Sequence, residues 1–497
     1  MSSMKGYLPH FNTRLQQTSN IIMITFWSQF SSYALNTILI LFLTKPLLSH
    51  GLGYNQATAY AFIGISQATG YLMPILGGYM ADSVLGIRRS ILIGSILLAA
   101  GYLLVMLSGY TITTHGDTLF IAAYALMPAA NSLLMGTAST MVSHIYADNA
   151  VKAKSAMTYY YLAINIGALL AAIIAPELFE SRYGPLSVLT LTFAGKAIAA
   201  INFAYRYKLY DNVIWGKDKK SLPTSAKYAL IAYFILIYAF TLFSYSHIML
   251  ANIIVSIGCG CGIAWFFIKT MQLIGELRWK QLVAFILILE SIVFFVIYNQ
   301  MNSTLVLFAQ NNSDLNLFGL SISAAQYQML NPILIIALGL QLPRFYRKFP
   351  RFSIPYQFAC GTLFAGAALL LMYYASLQAQ NGIINGNYIA LTYILITLGE
   401  LWVSTVGLSM VGLYCDQEGL AFAMGVWLLG SSLASTISGH IAGWVAIPDN
   451  LAPVDSLPIY QHYYVNVGLI TCTLGAIMVC IAWYMQTILS KRGVCLT

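Results

Sequence analysis

The chain has 497 residues, of which 59% are hydrophobic and only 8% are charged, and its formal net charge is +9. Soluble domains carry about 25% charged residues, so this composition excludes a soluble globular protein and indicates a chain that lies in a lipid bilayer. No soluble segment gathers the basic residues on one face, so the positive charge does not predict a nucleic-acid partner.

Apolar runs of about 20 residues recur along the chain, and each is long enough to cross roughly 30 Å of hydrocarbon as a helix. We predict fourteen membrane spans, near residues 21–44, 56–81, 89–108, 118–144, 154–175, 187–207, 227–245, 249–269, 280–300, 325–342, 353–377, 387–413, 418–445 and 462–489. The first six are called helices one to six, the next two the additional helices, and the last six helices seven to twelve.

The predicted organisation has five parts. They are a cytoplasmic N-terminal segment (1–20), an N-terminal six-helix bundle (21–207), a cytoplasmic linker with the two additional helices (208–278), a C-terminal six-helix bundle (279–490) and a cytoplasmic tail (491–497).

The Lys and Arg residues fix the predicted orientation, because basic loops resist translocation across a membrane. If both termini are in the cytoplasm, nearly all Lys and Arg residues lie on the cytoplasmic side. Examples are Lys5, the cluster from Arg206 to Lys227, Arg351 and Arg492. The N-terminal residues lack a cleavage signal, so we expect the first helix to stay as an anchor. The seven cysteines are scattered, and we expect no structural disulfide.

Helix five contains the run Y-Y-L-A-I-N-I-G-A-L from Tyr160 to Leu169. Lipid cannot satisfy the amide of Asn165, so this side chain must face a partner helix or a cavity. Gly167 by itself is equally consistent with close packing against a neighbouring helix. The run resembles the F-Y-x-x-I-N-x-G-S-L signature of the proton-coupled oligopeptide transporter family, a branch of the major facilitator superfamily.

The resemblance implies an all-α polytopic protein with the major facilitator fold, in which two six-helix bundles alternate access to a central site. The run from Gly77 to Arg89 is similar to the loop motif of this superfamily between helices two and three. Asp82, Arg88 and Arg89 can then form charge-assisted contacts that latch one conformation. Alternatively, the two arginines are simple cytoplasmic anchors of the loop.

Further motifs of the family can be matched helix by helix, and they imply a set of substrate-binding residues. The matched positions are Tyr71 on helix two, Tyr161 and Asn165 on helix five, Asn331 on helix eight, Glu400 on helix ten, and Trp427 and Ser431 on helix eleven. In the family, the Asn residues of helices five and eight and the Glu of helix ten are associated with the amino end of the peptide.

The chemistry of Glu400 agrees with that role, because an intramembrane carboxylate is costly unless it faces water, a cation or hydrogen-bond donors. A substrate ammonium between this carboxylate and the amide oxygens of Asn165 and Asn331 would satisfy all three groups. The alternative is a protonated Glu400 that is hydrogen-bonded to a neighbouring helix.

Departures from the family concentrate on its charged residues. Helix one keeps Phe30 and Tyr33, but the two acids and two arginines of the E-x-x-E-R-F-x-Y-Y-G motif and the residues after it are replaced by Thr25, Ser28, Gln29 and Asn36. The Lys of helix four becomes Met135, and the Glu-Gln pair of helix seven becomes Asn299-Gln300. The set of expected substrate-binding residues therefore also includes Gln29, Tyr33, Asn36, Met135, Asn299 and Gln300. A buried charge without its partner costs several kcal/mol, so such a network is lost as a set. Proton coupling by the usual route is therefore in doubt, as is recognition of a free carboxyl end.

Two other charges lie within predicted spans, Lys196 on helix six and Glu290 on helix seven. Either residue could be a substitute proton site. For Lys196 we favour snorkelling or a local hydrogen bond over such a function. Glu290 and Glu400 are the candidates for proton coupling.

The sequence therefore predicts a transporter of dipeptides, tripeptides or peptide-like amine-bearing solutes, with proton coupling that is atypical or absent. Two alternatives stay open: a uniporter or exporter of a polar solute without a free carboxylate, and a transport-inactive receptor or scaffold. No P-loop, metal-ligand spacing or nucleophile motif indicates an enzyme or a cofactor. We expect a monomeric multi-pass protein of a bacterial inner membrane, whose partners are the solute, the lipid bilayer and, if coupling exists, protons.

Cysteine accessibility tests the predicted topology. Cysteines that replace the basic linker residues Lys217, Lys219 and Lys220 one at a time should react with a membrane-impermeant maleimide only after the cells are opened, because the linker is predicted to be cytoplasmic. A cysteine at Arg182, predicted to lie outside, is the positive control. Labelling of the linker in intact cells would refute the topology.

Overall fold

The protein is described from a computed structural model, which covers residues 8–213, 218, 221–339, 341–349, 352–448 and 451–491. The predicted cytoplasmic residues Lys5, Lys217, Lys219, Lys220, Arg351 and Arg492 lie outside this range. The chain divides into two compact units, the first formed by Met1–Gly53 and Leu72–Ser246 and the second by Tyr54–Tyr71 and His247–Thr497.

The described residues are almost entirely helical. The first nine helices are α1 (Leu8–Thr44), α2 (Gln56–Met80), α3 (Ile87–His115), α4 (Thr118–Tyr124), α5 (Met127–Leu134), α6 (Thr137–Ile145), α7 (Ala150–Glu180), α8 (Gly184–Tyr205) and α9 (Thr224–Ser246). The other nine are α10 (Ile248–Gln272), α11 (Gly275–Tyr298), α12 (Thr304–Asn312), α13 (Leu330–Gly339), α14 (Leu342–Lys348), α15 (Ile354–Leu377), α16 (Asn387–Tyr414), α17 (Leu420–Ala442) and α18 (Pro453–Lys491).

Short elements connect these helices. They are a π-helical turn (Ala81–Leu85), 3-10 turns (Leu47–Ser49, Tyr207–Val213, Asn299–Asn302, Ala324–Met329 and Gly443–Val445), and an antiparallel pair of two-residue strands, β1 (Asn316–Leu317) and β2 (Leu320–Ser321).

The predicted fold class is confirmed. Within the described part of the chain, twelve helical segments are long and apolar enough to cross a membrane. Helix α2 and the segment from Ala324 to Gly339 match the remaining two predicted spans. The predicted boundaries of the five parts of the chain stay a prediction.

The fourth predicted span is broken into α4, α5 and α6. Met135, which follows α5, has extended backbone angles, and Gly136 adopts a φ of 89°. Because this φ lies in the left-handed region, which strongly favours glycine, Gly136 permits the break between α5 and α6. The sequence pattern of one long apolar run did not show this interruption.

In the first unit, α1 packs against α7 and α8. A Cβ atom on Gly167 of α7 would lie 3.0 Å from the carbonyl oxygen of Phe26 and 3.1 Å from the backbone nitrogen of Phe30. Gly167 therefore lets the backbones of α7 and α1 come close together, which supports its packing role.

Polar side chains join the N-terminal half of α1 to the end of α8 and the turn that follows it. The Nε2 of Gln17 donates to the carbonyl oxygen of Leu209 over 2.7 Å, and Asn20 hydrogen-bonds to Asn202. The buried Tyr210 hydroxyl donates to the Oδ1 of Asn20 over 2.6 Å. These hydrogen bonds connect α1 with the end of α8 and the following turn, which are far apart in sequence.

In the second unit, the first half of α2 packs against α17. A Cβ atom on Gly64 would lie 2.9 Å from the carbonyl oxygen of Ser435 and 3.0 Å from the Cα of Gly439. The Ser432 hydroxyl also donates to the carbonyl oxygen of Ala68 over 3.0 Å. The additional helix α10 packs against α11 and α17, whereas α9 packs against α4 and α5 in the first unit.

One end of the second unit is held together by hydrogen bonds between its loops. The Nδ2 of Asn312 donates to the carbonyl oxygens of Gly382 and Pro453, each over 2.9 Å. The Oδ1 of Asp314 accepts from the backbone N–H of Gly386 over 2.7 Å. These bonds connect the end of α12 with the α15–α16 loop and the start of α18.

The N-terminus of α3 is capped by a residue of the linker. The Oδ2 of the buried Asp218 accepts from the backbone N–H of Arg88 over 2.9 Å, and its Oδ1 accepts from that of Arg89 over 3.4 Å. Gly86 makes room for this carboxylate, because its φ is 87° and a Cβ there would collide with the Asp218 side chain. A negative charge at a helix N-terminus also interacts favourably with the helix dipole.

We predict that Asp218→Ala lowers the free energy of unfolding by about 1 kcal/mol, the usual cost of losing a helix cap. The midpoint of thermal unfolding of the detergent-purified protein measures this effect. Asp218→Asn is the matched control, because its amide oxygen can still accept from the helix N–H groups. An unchanged midpoint in Asp218→Ala would show that the linker does not support α3.

Candidate functional site

Glu400 of α16 is the centre of a polar cluster in the second unit. The Nδ2 of Asn331 donates to the Oε2 of Glu400 over 2.5 Å and to the Thr397 hydroxyl over 3.1 Å. The Tyr298 hydroxyl also hydrogen-bonds to Glu400, and Tyr71 lies near enough to interact with this carboxylate electrostatically. The structure thus brings together three predicted residues, Tyr71, Asn331 and Glu400.

The hydrogen bonds within this cluster leave acceptor positions on Asn331 and Glu400 available. An Asn side chain has two N–H donors, and both donors of Asn331 are used within the cluster. In the described part of the chain, no donor reaches the Asn331 amide oxygen. This oxygen and the half-buried Glu400 carboxylate therefore offer acceptor positions suited to an ammonium group.

Asn299 and Gln300 lie elsewhere in the second unit, where they are buried against α17. The Nδ2 of Asn299 donates to the Ser435 hydroxyl over 3.2 Å, and the Nε2 of Gln300 donates to the Ser438 hydroxyl over 2.7 Å. The Gln300 Oε1 accepts from the Thr304 hydroxyl over 2.8 Å. Since these amides are hydrogen-bonded within the protein, they join helices here, and the prediction that they contact substrate has no support from this geometry.

Trp427 and Ser431 of α17 are also buried. The Trp427 ring packs edge-on against Phe295 and Phe358, with ring centroids 5.9 and 6.2 Å apart, and it lies against Gly407. The Ser431 hydroxyl donates to the carbonyl oxygen of Trp427 over 3.3 Å. Both side chains are therefore packed within the second unit, and their contact with a substrate stays a prediction.

The predicted residues on α1 share one face of the helix. Tyr33 and Asn36 are exposed and Gln29 is half-buried, as their spacing of four and three residues indicates. Met135, at the break after α5, and Tyr161 of α7 are each 47% exposed. These five residues are accessible from outside the first unit, and none of them is charged.

Asn165 of α7 is only 6% exposed, and its Nδ2 donates to the carbonyl oxygen of Tyr161 one turn earlier, over 2.9 Å. That Asn165 faces a partner helix or a cavity stays a prediction, because this bond within the helix uses only one of the two N–H donors of the amide.

The loop motif between α2 and α3 uses a different acid from the predicted one. The Arg88 guanidinium pairs with Asp211 of the Tyr207–Val213 turn and lies over the Tyr207 ring, 4.1 Å from its centroid. Asp82 is exposed, and no ion pair between it and Arg88 or Arg89 is found within the described ranges. Arg88 is buried, so it is more than a cytoplasmic anchor, and its contacts are made to the linker.

Lys196 of α8 is 2% exposed, so the expected snorkelling is wrong. Its Nζ donates to the carbonyl oxygen of Ser28 over 2.7 Å, to the Ser28 hydroxyl over 2.9 Å and to the Ser32 hydroxyl over 2.7 Å. The expected hydrogen bond exists, but its acceptors lie on α1. Two serines four residues apart, opposite a lone lysine, are the signal by which the sequence could have shown this contact.

Glu290 of α11 is 5% exposed, and neither carboxylate oxygen has a hydrogen-bond partner among the described residues. Over the same part of the chain, no group of three His, Cys, Asp or Glu side chains is arranged to hold a metal ion.

Comparisons with known proteins agree with these features. The family described as "PTR2: POT family" matches residues 88–458. The "Dipeptide and tripeptide permease A" of Chromobacterium violaceum is 32% identical over 477 residues, which cover 95% of this chain and 94% of the relative. The protein of the same name from Klebsiella pneumoniae is 33% identical over 468 residues, covering 92% and 90%.

Two solved structures share the fold. A bacterial homologue of the human drug peptide transporters PepT1 and PepT2 matches with a TM-score of 0.80 and 23% identity, over 96% of this chain and 99% of the other. A peptide transporter POT in complex with sulfate matches with a TM-score of 0.82 and 24% identity, over 95% of each chain. This multi-pass integral membrane protein belongs to the POT family.

Proposed function

We propose that the protein transports dipeptides, tripeptides or peptide-like amine-bearing solutes by alternating access across a bacterial inner membrane, with both termini in the cytoplasm. The proposal is supported by the names of the relatives, which are dipeptide and tripeptide permeases. The observation that carries it is the pair of acceptors formed by Glu400 and the amide oxygen of Asn331.

The amino end of the substrate binds at this pair. A substrate ammonium has three N–H donors and a full positive charge, so it can bond to the carboxylate and to the amide oxygen together. Asn331 is held in place by Thr397, and Tyr298 orients the carboxylate from the other side. Because the acceptors are preorganised, little conformational entropy is lost when the amine binds.

The carboxyl end of the substrate receives no cation from the first unit. The accessible candidates are Gln29, Tyr33, Asn36, Met135 and Tyr161, all of which are neutral. Lys196 does not replace the missing cations, because it is 2% exposed and its three donors are engaged by α1.

Proton coupling is atypical in this proposal, since Thr25 and Ser28 cannot titrate near neutral pH. Glu400 takes part in binding the amine, so protons and substrate compete for its carboxylate. Glu290 is the second candidate proton carrier, because both of its oxygens are buried without a partner within the described part of the chain. The loop motif remains the candidate for contacts that stabilise one conformation, through Asp82, Arg88 and Arg89. Arg88 forms an ion pair with Asp211.

The protein acts as a monomer in this proposal. Asn299 and Gln300 join helices through the hydrogen bonds of their amides, and the buried Asn165, Trp427 and Ser431 stay candidate binding residues.

The first prediction concerns substrate polarity. Dialanine and its carboxyl-terminal amide should bind with dissociation constants that agree within about threefold, because no cation is available for the carboxylate. N-acetylated dialanine, which lacks the ammonium, should bind at least about tenfold more weakly, a loss of about 1.4 kcal/mol. Isothermal titration calorimetry on the detergent-purified protein gives all three constants. A clear preference for the free acid over the amide would contradict the proposal.

The second prediction concerns Glu400. Glu400→Gln should weaken dialanine binding by about ten- to a hundredfold, because hydrogen bonds to charged groups contribute about 1.5–3 kcal/mol. It should also remove the competition between protons and substrate, so that the dissociation constant no longer changes between about pH 5 and about pH 8.

Glu418→Gln is the matched control, because Glu418 is exposed and follows the end of α16. This variant should bind dialanine as the wild type does. If Glu400→Gln leaves both the affinity and its pH dependence unchanged, the amine binds elsewhere.

A further inference from the structure

We propose that Lys196 is a proton-binding site of the first unit, separate from Glu400, which gains and releases a proton during transport. The inference rests on the proposed transport function and assigns an unexpected residue to its coupling. The Lys196 amine contacts α1 through hydrogen bonds and lies over the Tyr102 ring of α3.

The hydrogen bonds of Lys196 can be satisfied in both of its protonation states. In the ammonium form, three N–H donors meet three oxygens at 2.7–2.9 Å, namely the Ser28 carbonyl and the Ser28 and Ser32 hydroxyls. A neutral amine has two donors and one acceptor lone pair. Because a hydroxyl can donate as well as accept, Ser28 or Ser32 can rotate its O–H toward that lone pair. No buried polar atom is then left without a partner in either state.

No fixed counter-ion holds the charge in place. Within the described part of the chain, no Asp or Glu oxygen lies within 4.0 Å of the Lys196 Nζ. The helix α1 contributes the two serines. The helix α3 contributes Tyr102, whose ring centroid is 5.0 Å from the Nζ, whose face attracts a cation and whose hydroxyl hydrogen-bonds to Ser32. The helix α7 and the Tyr207–Val213 turn also pack against α8. Within the described part of the chain, no charged side chain of these two elements contacts the amine.

The amine has a short route to the accessible face of α1. Ser32 is half-buried, and the adjacent Tyr33 is exposed. A proton from water can pass through the Ser32 hydroxyl to the lone pair of the Nζ, and the reverse transfer releases it. The close fit of α8 on α1 is permitted by Gly195, whose Cβ would lie 3.3 Å from the carbonyl oxygen of Trp27.

The position of this site relates it to coupling. Ser28 stands at the helix-one position where, by the resemblance, the family carries an acid. Because Lys196 bonds to Ser28, a titratable group lies next to α1 at this position. Hydrogen bonds from an ammonium are stronger than those from a neutral amine. Protonation of Lys196 therefore holds α1 more tightly against α8 and α3, and proton release loosens this contact.

Counterflow of labelled dialanine in liposomes, with equal pH on both sides and saturating peptide, tests the role of Lys196 in transport. At saturation the amine occupies Glu400, so the remaining pH dependence of the maximal rate reports on another group. We expect the wild-type rate to change by at least about fivefold between about pH 6 and about pH 9. Lys196→Met should flatten this profile, because its apolar side chain fills similar volume and each serine can bond to its own helix.

Lys196→Arg separates titration from structure. Arginine keeps the positive charge and the donors but does not lose its proton in proteins. A purely structural role predicts a wild-type pH profile for Lys196→Arg, whereas proton binding predicts a flat one. Ser32→Ala, which removes one of the three acceptors of the ammonium, should move the midpoint of the profile to lower pH without abolishing it.

A measurement without substrate keeps this inference distinct from the proposed function. A buried group that titrates links unfolding to pH, so the pH dependence of the thermal unfolding midpoint should differ between the wild type and Lys196→Met. Identical unfolding profiles, or a counterflow profile that Lys196→Met leaves unchanged, would overturn the inference. Absence of dialanine counterflow in the wild type would overturn the proposed function alone, and the unfolding profiles would still decide on Lys196.

Discussion

The bilayer offers no hydrogen bonds, so a polar side chain on a spanning helix is costly unless it finds a partner inside the protein or faces a cavity. This constraint explains the internal contacts of both units. In the first unit Lys196 is held by Ser28 and Ser32, and in the second Gln300 is held by Ser438 and Thr304. Polar residues that are costly in lipid thus become the contacts that fix which helix faces meet.

The spans could be predicted from sequence because crossing a membrane depends on local properties, namely length and hydropathy. The contacts of polar residues could not, because they depend on which helix lies opposite. Asn165 shows this difference, because nothing in its sequence context indicated that the carbonyl oxygen of Tyr161 accepts a hydrogen bond from its amide. Asp218 shows it as well, since nothing in a basic linker indicates that one acid caps α3. The proximity of Glu400 and Asn331 could be predicted only through the resemblance to a family.

By the resemblance, the family carries charges on helix one at positions where this chain has neutral residues. Avoiding acids and arginines together avoids an uncompensated charge. The buried Lys196 amine follows the same rule, because its donors are satisfied by hydroxyl and carbonyl oxygens, with no counter-ion among the described residues. One group that can carry a charge therefore contacts α1, although the matched residues of that helix are neutral.

The loops joined by Asn312 and Asp314 have a practical consequence. They bring together segments that are far apart in sequence, on the side of the membrane that is predicted to be outside. A surface made of several tethered segments is a conformational epitope, which an antibody recognises only while the protein is folded. A binder selected against this surface could therefore monitor folding in living cells and add mass to a small membrane protein for imaging by electron cryo-microscopy.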